Sequence, residues 1–89
     1  MTARVKPFGR RTPHTVTLIG KPGCHLCDDA RAVIARVCDE LGVEWHEQSV
    51  LNDAELRDRY AEEIPVTLVD GRRHDYFTVD ERRLRKALR

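Results

Sequence analysis

The feature that most constrains this chain is a change of apolar period across one short turn. Thr15-Val16-Thr17-Leu18-Ile19 is a β-branched, apolar run that reads as a buried central strand, and Gly20 follows it. Lys21-Pro22-Gly23 is a turn. From Cys24 onward the period becomes helical. Leu26, Ala30, Val33, Ile34, Val37 and Leu41 fall on one stripe when residues are placed at 100° intervals. This predicts an amphipathic helix over about 25–41, stopped by Gly42, which tolerates the left-handed conformation that ends helices. A buried strand feeding directly into a helix demands a layered α/β structure.

The rest of the chain continues the alternation. Residues 43–49 alternate weakly, with Val43 and Trp45 able to face a core and Glu44, His46 and Gln48 facing water. They suit an edge strand parallel to the first. Asn52 or Asp53 can cap a second helix with Leu56 and Tyr60 inward, fraying near Glu62-Glu63 because Pro65 disfavours helix at Ile64. Residues 65–69 form another apolar strand, and Asp70-Gly71 is a strong hairpin signal. Residues 73–78 return as a strand, and a last helix starts at Thr78 or Asp80 and runs to about Leu88, with Leu84, Ala87 and Leu88 inward. The predicted order is β-α-β-α-β-β-α. A right-handed crossover joins the parallel pair, and all four strands fit one mixed sheet with helices on both faces.

Eighty-nine residues make one small domain. The expected division is a flexible basic tail over 1–13 and a folded domain over 14–89. No apolar run approaches the roughly 18 residues of a membrane helix. The net charge of +1 gives no overall field for nucleic acid, although its distribution is uneven. Residues 1–23 carry five basic and no acidic groups, 24–64 carry four and eleven, and 65–89 carry seven and four. Three cysteines do not make a disulfide-dense secreted scaffold. No apolar segment follows the basic N-terminus, so the expectation is a cytoplasmic protein without a secretory leader. In that compartment paired cysteines are catalytic, redox-sensing or metal-binding.

Cys24-His25-Leu26-Cys27 is that pair. The first cysteine falls at a helix N-terminus, where unpaired N–H groups and the helix dipole favour a thiolate, the reactive form of sulfur. The second lies one turn on, close enough to form a disulfide with the first. Cys24, the outer residue, is expected to open a substrate disulfide, and Cys27 to resolve the mixed disulfide. A zinc half-site has the same spacing but needs two more ligands. Cys38 lies roughly 16 Å further along the helix axis at 1.5 Å per residue. His14, His46 and His74 show no paired pattern. No metal is therefore assigned, and Cys38 reads as a small residue at the edge of the buried stripe. His25 admits two readings, an exposed helix residue or an imidazolium that tunes the thiolate. Lys21 likewise is either a plain surface lysine or a positive charge acting on the site.

Lys21-Pro22-Gly23-Cys24-His25-Leu26-Cys27 after a buried strand, with Ile64-Pro65 before the hairpin, resembles the glutaredoxin-like branch of the thioredoxin fold. The resemblance spans about residues 15–88. It implies a thioredoxin-like α/β fold and thiol–disulfide oxidoreductase activity. It also implies a cis Pro65 beside Cys24, an Ile64 backbone that pairs with a bound peptide or thiol, and a Lys21 that meets a glutathione carboxylate. The chain departs from the glutaredoxin pattern in several places. His25-Leu26 stands where those proteins usually have Pro-Tyr. Glu62-Glu63-Ile64 stands where a basic residue and Thr-Val often precede the proline. The Gly-Gly and paired acids that hold the glutathione amino group are missing, with Asp70-Gly71 and Asp80-Glu81 only distant echoes.

The expectation is thus a monomeric oxidoreductase with catalytic Cys24 and Cys27. Lys21, His25, Ile64 and Pro65 are the candidate substrate-binding residues. No bound cofactor is expected. Glutathione or another low-molecular-weight thiol is the candidate co-substrate, a disulfide-bearing protein or small thiol the substrate, and a thioredoxin-type reductase a candidate partner. The alternative is a non-enzymatic redox-sensing or metal-binding module on the same fold. Neither membrane nor nucleic acid is an expected partner.

Overall fold

A computed structural model describes residues 14–89, so the expected tail over 1–13 lies outside the described residues. Eight elements follow one another: β1 (Thr15–Gly20), α1 (His25–Leu41), β2 (Glu44–Ser49), a 3-10 turn (Val50–Asn52), α2 (Ala54–Tyr60), β3 (Val66–Val69), β4 (Arg72–Tyr76) and α3 (Glu81–Ala87). The strands form one sheet in the order β2-β1-β3-β4. β1 runs parallel to β2, with Thr15 opposite Glu44 and Gly20 opposite Ser49. β1 is antiparallel to β3, and β3 to β4.

Alternation along β1 sends its side chains to two separate cores. Val16 and Leu18 are fully buried on one face with Ala30, Ile34, Val37 and Cys38 of α1 and Leu84 and Leu88 at α3. Ile19 faces the other way, joining Val50 and Val66, with Leu56 and Tyr60 of α2, Ile64 and Leu68 packed against them. The helices therefore cover both faces, as the alternating apolar pattern requires. Among the described residues, no helix is long and apolar enough to cross a membrane.

Local chemistry fixes the element ends. Gly42 ends α1 at φ 71°, donating its N–H to the Cys38 carbonyl. The Asp53 carboxylate accepts from the Glu55 and Leu56 N–H groups at 2.9 and 3.1 Å, opening α2. Asp80 does the same for α3 through Arg83 N–H at 3.1 Å. Asp70 and Gly71 both have positive φ, 55° and 82°, as the mirror-image turn of a two-residue hairpin requires. The Asp70 carboxylate also accepts from Thr15 N–H at 2.9 Å, tying the hairpin to the start of β1. Arg31 grips Glu47 with two hydrogen bonds of 2.8 and 2.7 Å, clamping α1 to β2.

Two parts of the sequence reading need correction. Leu26 and Leu41, placed on the inner stripe of α1, are 41% and 36% exposed. They sit in the first and last turns, where mid-helix packing partners give out, and the buried stripe runs instead through Cys27, Ala30, Ile34, Val37 and Cys38. The last strand begins one residue early and ends at Tyr76 rather than Thr78. It stops because Phe77 takes a φ of 67° and turns its N–H to the Pro65 carbonyl at 2.7 Å.

Candidate active site

The crossover from β1 to α1 places the dithiol at one end of the sheet. Gly23, at φ 76°, turns the chain into the helix. Cys24 is its N-cap in an extended conformation, and its sulfur accepts the Cys27 N–H at 3.3 Å. An orphan amide of the first helical turn thus points at the outer sulfur, as capping physics predicts.

The two thiols are electrostatically unequal. Cys24 is half-buried and Cys27 fully buried. Hydrogen bonding from the Cys27 thiol pulls Cys24 below the ordinary thiol value, assisted by the Cys27 and Leu26 amides and the Lys21 charge, with partial burial opposing. Burial drives Cys27 the other way, up to about 11, reinforced by its hydrogen bond to Cys24 and countered by the Lys21 backbone amide. The attacking form of sulfur is therefore favoured at the accessible residue and disfavoured at the buried one. Cys38 is pushed up to about 11 by burial alone.

The other singled-out residues gather at the same end. Lys21 and His25 are exposed, immediately before and after the N-cap segment. The Ile64-Pro65 peptide is cis. Because Ile19 pairs with Val66, Pro65 lies at the end of the sheet from which Cys24 emerges. Pro65 is buried, and the Ile64 side chain packs into the Ile19–Val50–Val66 core. Glu63, one of the two acids preceding Ile64, is neutralised by an ion pair with Arg73. Among the described residues, no group of three or more His, Cys, Asp or Glu side chains is arranged to hold a metal.

Sequence reasoning missed two contributors. One is a set of exposed apolar side chains at the dithiol's end of the sheet. Leu26 follows Cys24 by two residues, Leu51 follows the end of β2, and Tyr76 and Phe77 close β4. All four are large, apolar and exposed. Tyr76 and Phe77 pack edge-to-face with ring centroids 5.0 Å apart. The residues were visible, but only sheet order could show that they share one end. The other is Gly20, read simply as the residue after the strand. It continues the inward alternation of Val16 and Leu18, and a Cβ there would lie 2.8 Å from the Cys27 sulfur. A concavity of about 890 Å³ lined by Cys38, Gly42 and Trp45 opens at the far end of α1 and includes neither dithiol residue.

Comparison with known proteins agrees with this architecture. Curated relatives from Mycobacterium bovis and Mycobacterium tuberculosis, described only as uncharacterised proteins, are 35% identical over 75 residues, covering 79% of this chain and 77% of theirs. A crystal structure of a protein from X. campestris is 28% identical, with a TM-score of 0.66 over 80% of this chain and 91% of that one. The solution structure of Ne2328 from Nitrosomonas europaea is 19% identical and covers the whole of both chains at a TM-score of 0.75. A thioredoxin from Fasciola hepatica, 20% identical, covers 88% of this chain and 80% of its own at 0.63, which places the fold among thioredoxins. The model for the family described as "Glutaredoxin-like domain (DUF836)" matches residues 15–89, from the first residue of β1 onward, and the chain belongs to that glutaredoxin-like family of the thioredoxin fold.

Proposed function

We propose that this protein is a dithiol–disulfide oxidoreductase whose principal substrates are disulfides in other proteins. The observation that carries the reading is the asymmetry of its two sulfurs: Cys24 accessible and favoured as thiolate, Cys27 buried and held protonated beside it. The Cys24 thiolate attacks one sulfur of the substrate disulfide, forming a mixed disulfide and expelling the other substrate sulfur as a thiolate. The Cys27 thiol then loses its proton to solvent and attacks the Cys24 sulfur. A Cys24–Cys27 disulfide forms, and the second substrate thiol leaves. Two electrons have moved from protein to substrate, and an external thiol or dithiol returns them.

Protein disulfides are favoured over small ones by the exposed Leu26, Leu51, Tyr76 and Phe77 at the dithiol's end of the sheet. Exposed large apolar groups at the same end of the sheet as the reactive sulfur suit a polypeptide with apolar side chains beside its disulfide. In this reading Lys21 and His25 flank the attacking sulfur, and the Ile64-Pro65 backbone shapes the substrate groove. Glutathione or another small thiol serves as reductant, or a thioredoxin-type reductase does, and the protein works as a cytoplasmic monomer without a bound cofactor.

Two variants test the mechanism. Cys27→Ser, incubated with a disulfide-containing protein, should accumulate a covalent complex that dithiothreitol releases. Cys24→Ser should form none and turn nothing over. Turnover by Cys24→Ser at the wild-type rate would overturn the assignment.

A further inference from the structure

The buried resolving sulfur occupies a space that exists only because residue 20 has no side chain. Gly20 closes β1 on the face that Val16 and Leu18 fill with side chains, and it is itself buried. A glycine at such a position weakens a strand and marks a close approach of some other group. Here that group is Cys27. A Cβ on residue 20 would stand 2.8 Å from the Cys27 sulfur and 3.4 Å from the Cys27 Cβ. The first distance is far inside van der Waals contact, and the atom that would have to move is the sulfur that performs the second chemical step. Cys27 is fully buried, so it has little room to retreat. Its partner in that step, the Cys24 sulfur, is held in place by the Cys27 amide at 3.3 Å. The Lys21 amide, next in the chain after Gly20, favours the charged form of the Cys27 sulfur against the effect of burial. Among the described residues, the thiol has no acidic or basic side chain hydrogen-bonded to it.

We propose that Gly20 is a positioning residue for resolution: its bare Cα forms the socket that seats the Cys27 sulfur beside Cys24, so the size of residue 20 governs release of the mixed disulfide far more than its formation. The proposal rests on the oxidoreductase reading and deepens it. In the step it governs, the Cys27 thiol gives its proton to solvent, the Cys27–Cys24 bond forms, the bond from Cys24 to substrate breaks, and the substrate leaves as a thiolate.

The aromatic disulfide 5,5′-dithiobis(2-nitrobenzoate) separates the two steps. Attack by Cys24 on the reduced full chain releases one coloured thiolate, and resolution by Cys27 releases a second. In Gly20→Ala the first phase should slow far less than the second, its pH midpoint rising only as far as the displaced Cys27 thiol loosens its hydrogen bond to Cys24. The second should slow by about tenfold or more, since a misplacement near 1 Å costs on the order of a hundredfold. A second phase as fast as in wild type would overturn the proposal. A thermal-melting cycle tests the socket independently of activity. Gly20→Ala should lower the melting temperature when Cys27 is present, and lower it much less in a Cys27→Ala background, where the clashing sulfur is gone. If Gly20→Ala alone does not fold, the double variant should regain the fold. Equal losses in the two backgrounds would refute the contact. A slow first phase in the wild-type protein would instead count against the oxidoreductase reading, while the melting cycle would still decide the socket.

Discussion

At the scale of single residues, three cysteines of one helix share a chemistry but not an environment. Cys24 caps the helix and is lowered, while Cys27 and Cys38 are each held up to about 11. The signs differ in their consequence for stability. A thiol lowered by folding contributes stability above its unfolded value and loses it as pH falls through the folded value. For Cys27 and Cys38 the unfolded value is 9.0. Between about pH 9 and 11 the unfolded chain gives up both protons and the native chain keeps them, so stability falls as pH rises. The slope is at most about 1.4 kcal/mol per pH unit for each thiol. Cys38→Ala should therefore roughly halve the loss of stability between pH 9 and 11, measured by urea unfolding in reductant. An unchanged slope would show that Cys38 does not carry it. The placement of Cys24 at the helix N-terminus and of Cys27 one turn on was legible in the sequence because helix-terminus geometry depends on local spacing. Gly20 was not, because the need for a bare Cα appears only when β1 and α1 are brought face to face.

At the scale of elements, the short helices depend on their caps. α2 has seven residues, none of them fully buried, and the Asp53 carboxylate satisfies two of its first amides. Asp53→Ala should cost about 1 kcal/mol, read as a lower urea midpoint with an unchanged slope, and Asp53→Asn should restore most of it. No change in the alanine variant would mean that the α2 packing against Ile19, Val50 and Val66 fixes the helix unaided. Element order, the hairpin turn at Asp70-Gly71 and the span of α1 could all be read from apolar period and turn chemistry. The true ends of β4 could not. Its C-terminal end depends on Phe77 turning its amide to the Pro65 carbonyl across the hairpin, a contact that local pattern does not show. The exposure of Leu26 was hidden for a related reason. Periodicity assigns a residue to a helix face but does not say where the covering layer stops.

At the scale of the whole molecule, two small cores share one four-stranded sheet, and the dithiol sits at the end where β1 leaves it. A domain of this size is only modestly stable, so oxidation of the pair should be visible in its melting. In the chain-entropy treatment, closing the short loop from Cys24 to Cys27 contributes about 2 kcal/mol. In a domain this small that amounts to a rise of several degrees in melting temperature for the oxidised form; identical midpoints for the two forms would contradict it. The most direct test of the account as a whole is competitive alkylation at pH 7 read by mass spectrometry, on reduced protein and again after mild oxidation. Cys24 should be labelled well ahead of Cys27 and Cys38, and oxidation should remove two hydrogens and protect Cys24 and Cys27 together until reductant is added. Labelling of Cys24 no faster than an unstructured cysteine peptide, or an oxidised protein in which Cys24 and Cys27 remain unlinked, would contradict it.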